Sequence, residues 1–242
     1  MIEFIKTTLK SNRLGQAIYP ALNKLYRLYS VPARRRKLRK YGYKLLDELF
    51  TISEKERIGL FPLFGSLLGF ERDGGFIAWD DDIDVGIIDE GDNVKRCVRI
   101  LVEKYGYEFY HGLKYDGKLA EFTLKRMNIT IDFFPMHHEN GGLMTKAFYW
   151  EENCNYDNPY ANSTYYMRHP MIERLVPMMI NGVKIMVPEN KEAVLVAEFG
   201  SDWRKPDPGF SEKTLPTCIP KDGFGYVVTK DEFMNLVGLK IN

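Results

Sequence analysis

Apolar residues recur at helical spacing over residues 43–52, where Leu45, Leu46, Leu49, Phe50 and Ile52 predict a helix packed against the core. The apolar run 58–64 then predicts a strand that stops at Gly65-Ser66, and Leu67-Leu68-Gly69-Phe70 opens a brief helix before a turn at Gly74 and Gly75. Over 82–88 polarity alternates: Ile83, Val85 and Ile87 take one face of a strand, while Asp82, Asp84 and Gly86 take the other. Asp92 is placed to cap a helix that buries Val94, Cys97, Val98, Leu101 and Val102 and stops at Gly106. Strands are predicted near 107–111, 121–125 and 129–134, the last two joined by a tight turn at Met127-Asn128. Asn181-Gly182 between two apolar runs predicts a hairpin with a type I′ turn. A helix from about Asn190 to Phe199, ended by Gly200, is the last clear element, and 201–225, rich in Pro and Gly, is expected to be loop.

This mixture of strands and helices predicts an α+β fold, and 242 residues suffice for one elaborated domain with a sizeable core. Charge divides the chain further. Residues 1–44 hold twelve Lys and Arg against Glu3 alone, so a formal charge of +1 overall conceals a basic arm on an acidic body. The division predicted is an arm at 1–41 and a catalytic body at 42–242. Pro20 and Pro32 are expected to interrupt the arm, in which Leu22, Leu25, Tyr26 and Leu28 alternate with Lys24 and Arg27 ahead of Arg34, Arg35, Arg36, Lys37, Arg39 and Lys40. Such an amphipathic basic element either lies in an anionic membrane interface, gaining about 1 kcal/mol per basic residue, or packs on the body as a solvated helix. Nucleic acid is not expected as a partner, because the body is acidic and carries no binding motif. Cys97, Cys154 and Cys218 are too dispersed for a disulfide framework or a metal-ligand pair. No signal-peptide core occurs, nor an apolar run near the roughly 20 residues of a membrane span, so a cytoplasmic protein is expected, peripheral on the inner membrane face if the arm binds lipid.

The chemistry-bearing residues cluster in the first half of the body. A helix opening at Gly65-Ser66 offers unpaired N–H groups and the positive end of its dipole to a phosphate, with Gly65 permitting close approach. Asp82 and Asp84 share one strand face, and Asp132 sits on another apolar strand. Ionised carboxylates crowded together repel unless protonated or bridged by a cation, which points to Mg2+ or Mn2+ held by Asp82, Asp84 and Asp132. A calcium loop beginning at Asp80-x-Asp82-x-Asp84 fails, because Val85 falls where the sharp-turn glycine is required and Gly91 where the bidentate Glu is required. The bland alternative has Asp80 and Asp81 capping a turn and the other acids solvated on an edge strand.

The run from Phe64 to Val85, with Gly65, Ser66, Gly69, Arg72 and Trp79-Asp80-Asp81-Asp82-Ile83-Asp84, resembles the signature of the LicD/fukutin-related family. Ile131-Asp132-Phe133-Phe134-Pro135 is similar to its later Ile-Asp-x-Phe-Pro, and Phe199-Gly200 to its Tyr-Gly, with Phe replacing Tyr. The likeness spans about 43–210. It implies a nucleotidyltransferase-like mixed sheet flanked by helices, with a helical N-terminal arm and a C-terminal elaboration. It also implies transfer of a phospho-alcohol from a CDP-activated donor to a glycan hydroxyl, releasing CMP. The donor would be held by Gly65, Ser66, Arg72, Trp79 and Lys125. Asp132 would be either a metal ligand or the base. His137 and His138 follow close behind it. Aromatic residues over 148–166 (Tyr149, Trp150, Tyr156, Tyr160, Tyr165 and Tyr166), interspersed with Glu151, Glu152 and Asp157, suit CDP-choline, because a quaternary ammonium is recognised by ring faces and carboxylates. The same rings would also stack on acceptor sugars or fill core. Two competing functions are a nucleotide-sugar glycosyltransferase, which also uses an Asp-x-Asp pair, and a non-catalytic scaffold of glycan assembly.

Overall fold

The computed structural model describes residues 13–149, 161–207 and 209–239. Its first element, helix α1 (Arg13–Lys55), runs unbroken through positions 20 and 32, where the arm was expected to divide. A proline inside a helix loses one backbone hydrogen bond and costs about 3 kcal/mol. Here the surrounding Ala, Leu, Arg and Lys are strong helix formers, and the later turns bury Leu38, Leu45, Leu46, Leu49 and Phe50, which offsets that cost. The expected core-facing helix at 43–52 is thus the inner end of a much longer one.

The remaining elements follow in the order β1 (Phe61–Pro62), α2 (Phe64–Arg72), β2 (Ile83–Ile88), α3 (Asn93–Arg99), β3 (Glu108–Tyr115), β4 (Lys118–Arg126), β5 (Ile129–Glu139), β6 (Gly142–Tyr149), β7 (Ala161–His169), β8 (Leu175–Ile180), β9 (Val183–Pro188), α4 (Lys191–Phe199), β10 (Cys218–Val227) and α5 (Lys230–Leu236). A wider helical turn, Ile100–Lys104, prolongs α3 before Gly106 stops it at φ +70°. Eight strands form a mixed sheet in the order β1-β2-β5-β4-β3-β10-β7-β6, and β8 and β9 pair separately. Among the described residues only β2–β5 is parallel within the large sheet. The inner end of β5 pairs with β4 and β2, whereas its outer end, His137–Glu139, pairs with β6. That second partnership closes β5, β4, β3, β10, β7 and β6 into a ring. The α+β class expected from the sequence is the class observed.

Two-residue turns set the registers. Met127-Asn128 and Asn181-Gly182 adopt the positive φ angles a type I′ turn requires, as expected, and Asp116-Gly117 and Asn140-Gly141 do the same. The core lies between α1 and the sheet. It contains Ile83, Val85, Ile87, Ile131 and Phe133, all without exposure, with Phe133 stacked on Phe122 at 4.7 Å. Arg126 Nε reaches Glu48 Oε1 at 2.8 Å and ties β4 to α1.

Four expectations are corrected. The strand at 58–64 shrinks to Phe61–Pro62, whose Phe61 ring lies where a side chain at Gly86 would be, 2.4 Å from the Cβ position. The residue after it, Leu63, is the extended N-cap of α2, so Gly65 and Ser66 sit inside the first helical turn instead of at a strand's end. Asp92 occupies the N-cap of α3 but makes no capping bond; it pairs with Lys95 at 3.4 Å. Lastly, 201–225 is not all loop, because β10 begins at Cys218. In β10, Pro and Gly mark other things: a bulge between Lys221 and Phe224, and at Gly225 a close approach that leaves a Cβ only 2.2 Å from the Phe148 ring.

Candidate active site

Strand alternation in β2 and β5 sends Ile83, Val85, Ile131 and Phe133 into the core and leaves Asp84 and Asp132 together on the opposite face. Parallel pairing places them as direct neighbours, Asp84 opposite Asp132. Asp82 stands just ahead of β2, and Thr123 of β4 lies opposite Asp132 and hydrogen-bonds to it. The other Asp132 oxygen, Oδ1, is buried without a partner.

Helix α2 closes the site from above. The Asp84 backbone N–H donates to Ser66 Oγ at 2.9 Å, and the Ser66 backbone N–H in turn supports the Asp84 carboxylate. Ser66 therefore fixes the first turn of α2 onto β2. Gly65 faces the acids so closely that a Cβ there would lie 3.2 Å from Asp84 Oδ2 and 3.4 Å from Asp80 Oδ2. Phe64 takes a left-handed φ of +43°, rare for a bulky residue, and its N–H donates to Glu198 Oε2 of α4 at 3.1 Å.

These acids are not neutralised. Burial, then Asp132, Asp81 and Asp80, push the Asp82 carboxyl up; burial, then Asp82, Asp132 and Asp80, hold Asp84 well above the ordinary range. Asp132 is raised by burial in spite of Thr123. Asp80 is pushed up to about 6, chiefly by burial and then by Asp81. Glu121 of β4 is pushed up to about 8 by burial and by the Asp132 charge. Each direction means that burial and the neighbouring acids outweigh the arginine charges that reach Asp80, Asp82 and Asp132.

Two cavities meet at Gly65. The smaller, about 310 Å3, is lined by Asp84, Glu121, Phe134, Phe148, Tyr149 and Glu198 among others. The larger, about 440 Å3, is lined by Arg72, Trp79, Asp80, Trp203, Lys205 and Phe210 among others. Behind the smaller cavity the His169 side chain is fully buried, with Nδ1 3.5 Å from Glu198 Oε1; burial drives the imidazole down to about 3 and raises the Glu198 carboxyl well above its ordinary range.

The model of the LicD/FKTN/FKRP nucleotidyltransferase domain matches residues 57–190, more than half of the chain. The chain belongs to the LicD/FKTN/FKRP family. It is also 26% identical over 143 residues to the ribitol 5-phosphate transferase FKRP of Mus musculus and to that of Homo sapiens, an alignment covering 56% of this chain and 26% of each relative. The chain thus matches about a quarter of the length of those relatives.

Within the LicD/FKTN/FKRP segment, the structure gathers Gly65, Ser66, Asp82, Asp84 and Asp132 at one place. Arg72 and Trp79 line the neighbouring cavity, 5.9 Å from guanidinium to ring centre, with Arg72 Nε and Nη2 both taken up by Asp73 at 2.8 and 2.9 Å. Lys125 is not brought to the acids: its ammonium lies over the Tyr110 ring at 6.0 Å and lines neither cavity. His137 and His138 face Asp89 and Glu90 beyond the far end of β2. Of the aromatic set, Tyr149 lines the smaller cavity. Tyr165 packs edge-on against Tyr149 at 5.2 Å, and Tyr166 carries Lys146 at 5.4 Å and Lys221 at 5.3 Å. Trp150, Glu151, Glu152, Tyr156, Asp157 and Tyr160 lie outside the described residues.

Sequence reasoning missed Glu121, Glu198 and Arg34. The first was findable: a tight turn at Met127-Asn128 forces Thr123 opposite Asp132, and Glu121 is two residues from Thr123 on the same face. Glu198 belongs to α4, far along the chain, and the apolar pattern there gave it no distinction. Arg34 Nε pairs with the Asp81 carboxylate, while Arg35 Nε donates to Trp79 O at 2.6 Å and Arg39 Nη2 to Ala78 O at 2.8 Å. One of six closely spaced bases could not be singled out by pattern.

Among the described residues no three His, Cys, Asp or Glu side chains close into a ligand set as they stand. The donor chemistry nevertheless suits a hard divalent ion: all-oxygen, anionic, and including a buried unpartnered oxygen on Asp132. Side-chain rotation of Asp82, Asp84 and Asp132 is what binding would require.

Proposed function

We propose that the protein transfers a substituted phosphate from a CDP-activated alcohol to a glycan hydroxyl and releases CMP. The observation that supports this most is the pairing of Asp84 with Asp132, beside Asp82, where two cavities meet at Gly65. A diphosphate needs such a junction, with nucleotide on one side and transferred alcohol on the other. Membership of a family of phosphate-group transferases supports the same reaction.

In this scheme the acceptor oxygen attacks the phosphorus that bears the alcohol, in line with the bridging oxygen, and the bond to CMP breaks. Asp82, Asp84 and Asp132 would hold Mg2+ or Mn2+, which supplies charge neutralisation at the phosphate oxygens. The acceptor proton passes to a carboxylate. Asp132 takes it if it is not an ion ligand; otherwise Glu121 is suited, since its carboxyl is raised to about 8 and lines the smaller cavity. Trp79 and Arg72 would receive the nucleotide side.

Phosphocholine is the favoured group, because the smaller cavity combines Phe134, Phe148, Tyr149, Phe199 and Phe210 with Glu121, Glu198 and Glu212, a lining suited to a cation that donates no hydrogen bond. A polyol phosphate, the group named in the FKRP relatives, is the competing cargo. Incubation with CDP-choline, CDP-ribitol, CDP-glycerol and UDP-sugars, each with Mg2+ or Mn2+, tests both levels. CMP release from one CDP-alcohol supports the transfer, and its identity settles the cargo. Release of UDP but never CMP would favour a glycosyltransferase and end the proposal.

The arm is proposed to hold the enzyme at an anionic membrane surface. In the outer half of α1, Leu14, Ile18, Leu22, Leu25, Leu28 and Tyr29 form one exposed stripe, and no acid occurs in α1 before Asp47. Among the described residues no helix is long and apolar enough to cross a membrane. Flotation with phosphatidylserine vesicles is expected to carry the protein and to lose it when Leu22 and Leu25 are changed to Glu; equal flotation of that variant refutes the anchor.

A further inference from the structure

We propose that Arg34, which helix α1 contributes from outside the family-matched segment, is a donor-phosphate ligand of the active site. This rests on the transfer reaction proposed above. Three arginines of α1 grip residues 78–81, but they do so differently. Arg35 and Arg39 bind the backbone carbonyls of Trp79 and Ala78, contacts that position a loop, and the Arg35 charge reaches Asp80 alone of the acids. Arg34 lines neither cavity, but it meets the Asp81 carboxylate next to Asp80, which lines the larger one, and its charge is felt at both Asp82 and Asp132.

Among the described residues Arg34 is engaged through Nε alone, its two terminal nitrogens having no hydrogen-bond partner there, and the side chain is 33% exposed. A guanidinium held at one edge presents the rest of its planar fork, which matches paired phosphate oxygens. Arg72, the arginine expected from the sequence to serve the donor, is less available, since Nε and Nη2 are both committed to Asp73. Electrostatics demands such a residue. A nucleotide diphosphate has to approach Asp80, Asp81, Asp82, Asp84 and Asp132, and one divalent ion cannot neutralise both the acids and the incoming phosphates.

The test compares steady-state CMP release by wild type, Arg34→Ala, Arg34→Lys, Arg35→Ala, Arg39→Ala and Arg36→Ala, with CDP affinity measured by titration calorimetry. Arg34→Ala is expected to lower kcat/KM about a hundredfold, mainly through the donor KM, with added guanidinium restoring part of it and Arg34→Lys intermediate. Arg36→Ala, an exposed residue of the same helix, is expected to match wild type. If Arg34 merely pins the loop, Arg35→Ala and Arg39→Ala lose as much and guanidinium restores nothing; that result overturns the proposal. CDP affinity separates the two levels. A wild type that binds CDP but releases CMP from no CDP-alcohol refutes the transfer alone, and Arg34 is then judged by binding: about tenfold weaker CDP affinity in Arg34→Ala sustains it, and equal affinity refutes it. A wild type that does not bind CDP refutes both.

Discussion

On the outer surface Glu56 is met by Lys104 Nζ at 2.7 Å and by the Tyr105 hydroxyl at 2.8 Å, and Asp73 by two nitrogens of Arg72, so both carboxyls lie below their ordinary range. Around β2 and β5 the opposite holds. Asp80, Asp82, Asp84, Asp132 and Glu121 are all raised, by burial first and by one another second. The surface acids are answered by the fold itself and serve to hold it. The inner acids are answered only in part, by arginine charges that burial and mutual repulsion outweigh, at a cost in stability, and such a cluster persists where a ligand supplies the missing charge.

Replacing an inner acid should break this contrast most sharply. Asp84→Asn is expected to reduce CMP release by at least about 10³-fold while raising Tm by roughly 2–4 °C, the equivalent of about 1 kcal/mol, because it removes a buried, repelled charge. A fall in Tm, read by circular dichroism, would mean that Asp84 supports the fold as Glu56 does.

The pH dependence of stability sharpens the comparison next. Acids raised in the folded state bind more protons there than when unfolded, so their contribution is fully present below the unfolded value near 4 and is lost as pH rises to about 8. Without divalent ions, Tm is expected to fall across that window. Mg2+ at a hundredfold excess over its Kd should add about 2.7 kcal/mol at pH 8, and little near pH 5, where protons compete. A pH-independent Mg2+ effect would remove the acid cluster as its site.

Gly65→Ala probes the space between the two regions. Alanine is favoured over glycine in a helix by up to about 1 kcal/mol, so Tm should hold or rise, yet a methyl 3.2 Å from Asp84 Oδ2 should cost roughly tenfold in kcat/KM. Unchanged activity would show that nothing needs that gap. Smallest of all, Glu56→Gln should lower Tm slightly and only at low salt, as an exposed ion pair does; a large, salt-insensitive loss would erase the distinction between the two sets of acids.

Much of this site is local in sequence and was legible for that reason. Alternation in 82–88 and 129–134 places Asp82, Asp84 and Asp132 on non-core faces without knowledge of any partner strand. The turn at Met127-Asn128 was read, but the cross-strand consequence for Thr123 and Glu121 was not. What could not be read is what distant elements bring: the length of α1 past two prolines, Arg34 at its middle, and Glu198 reaching back to Phe64 across 134 positions. The hairpins at Asp116-Gly117 and Asn140-Gly141 carry a signal as strong as Asn181-Gly182 and were there to be found. In β10 the Pro and Gly content misled, because a bulge and a ring contact use the same residues as a loop.

Strand β10 follows the other described strands in sequence and is inserted between β3 and β7, two strands made long before it. Until it arrives, those two strands have no neighbour in common and the cavity wall built on β6 and β7 has no backing. A nascent chain stalled before Cys218 therefore carries every acid of the site while β3 and β7 still wait for the strand that joins them.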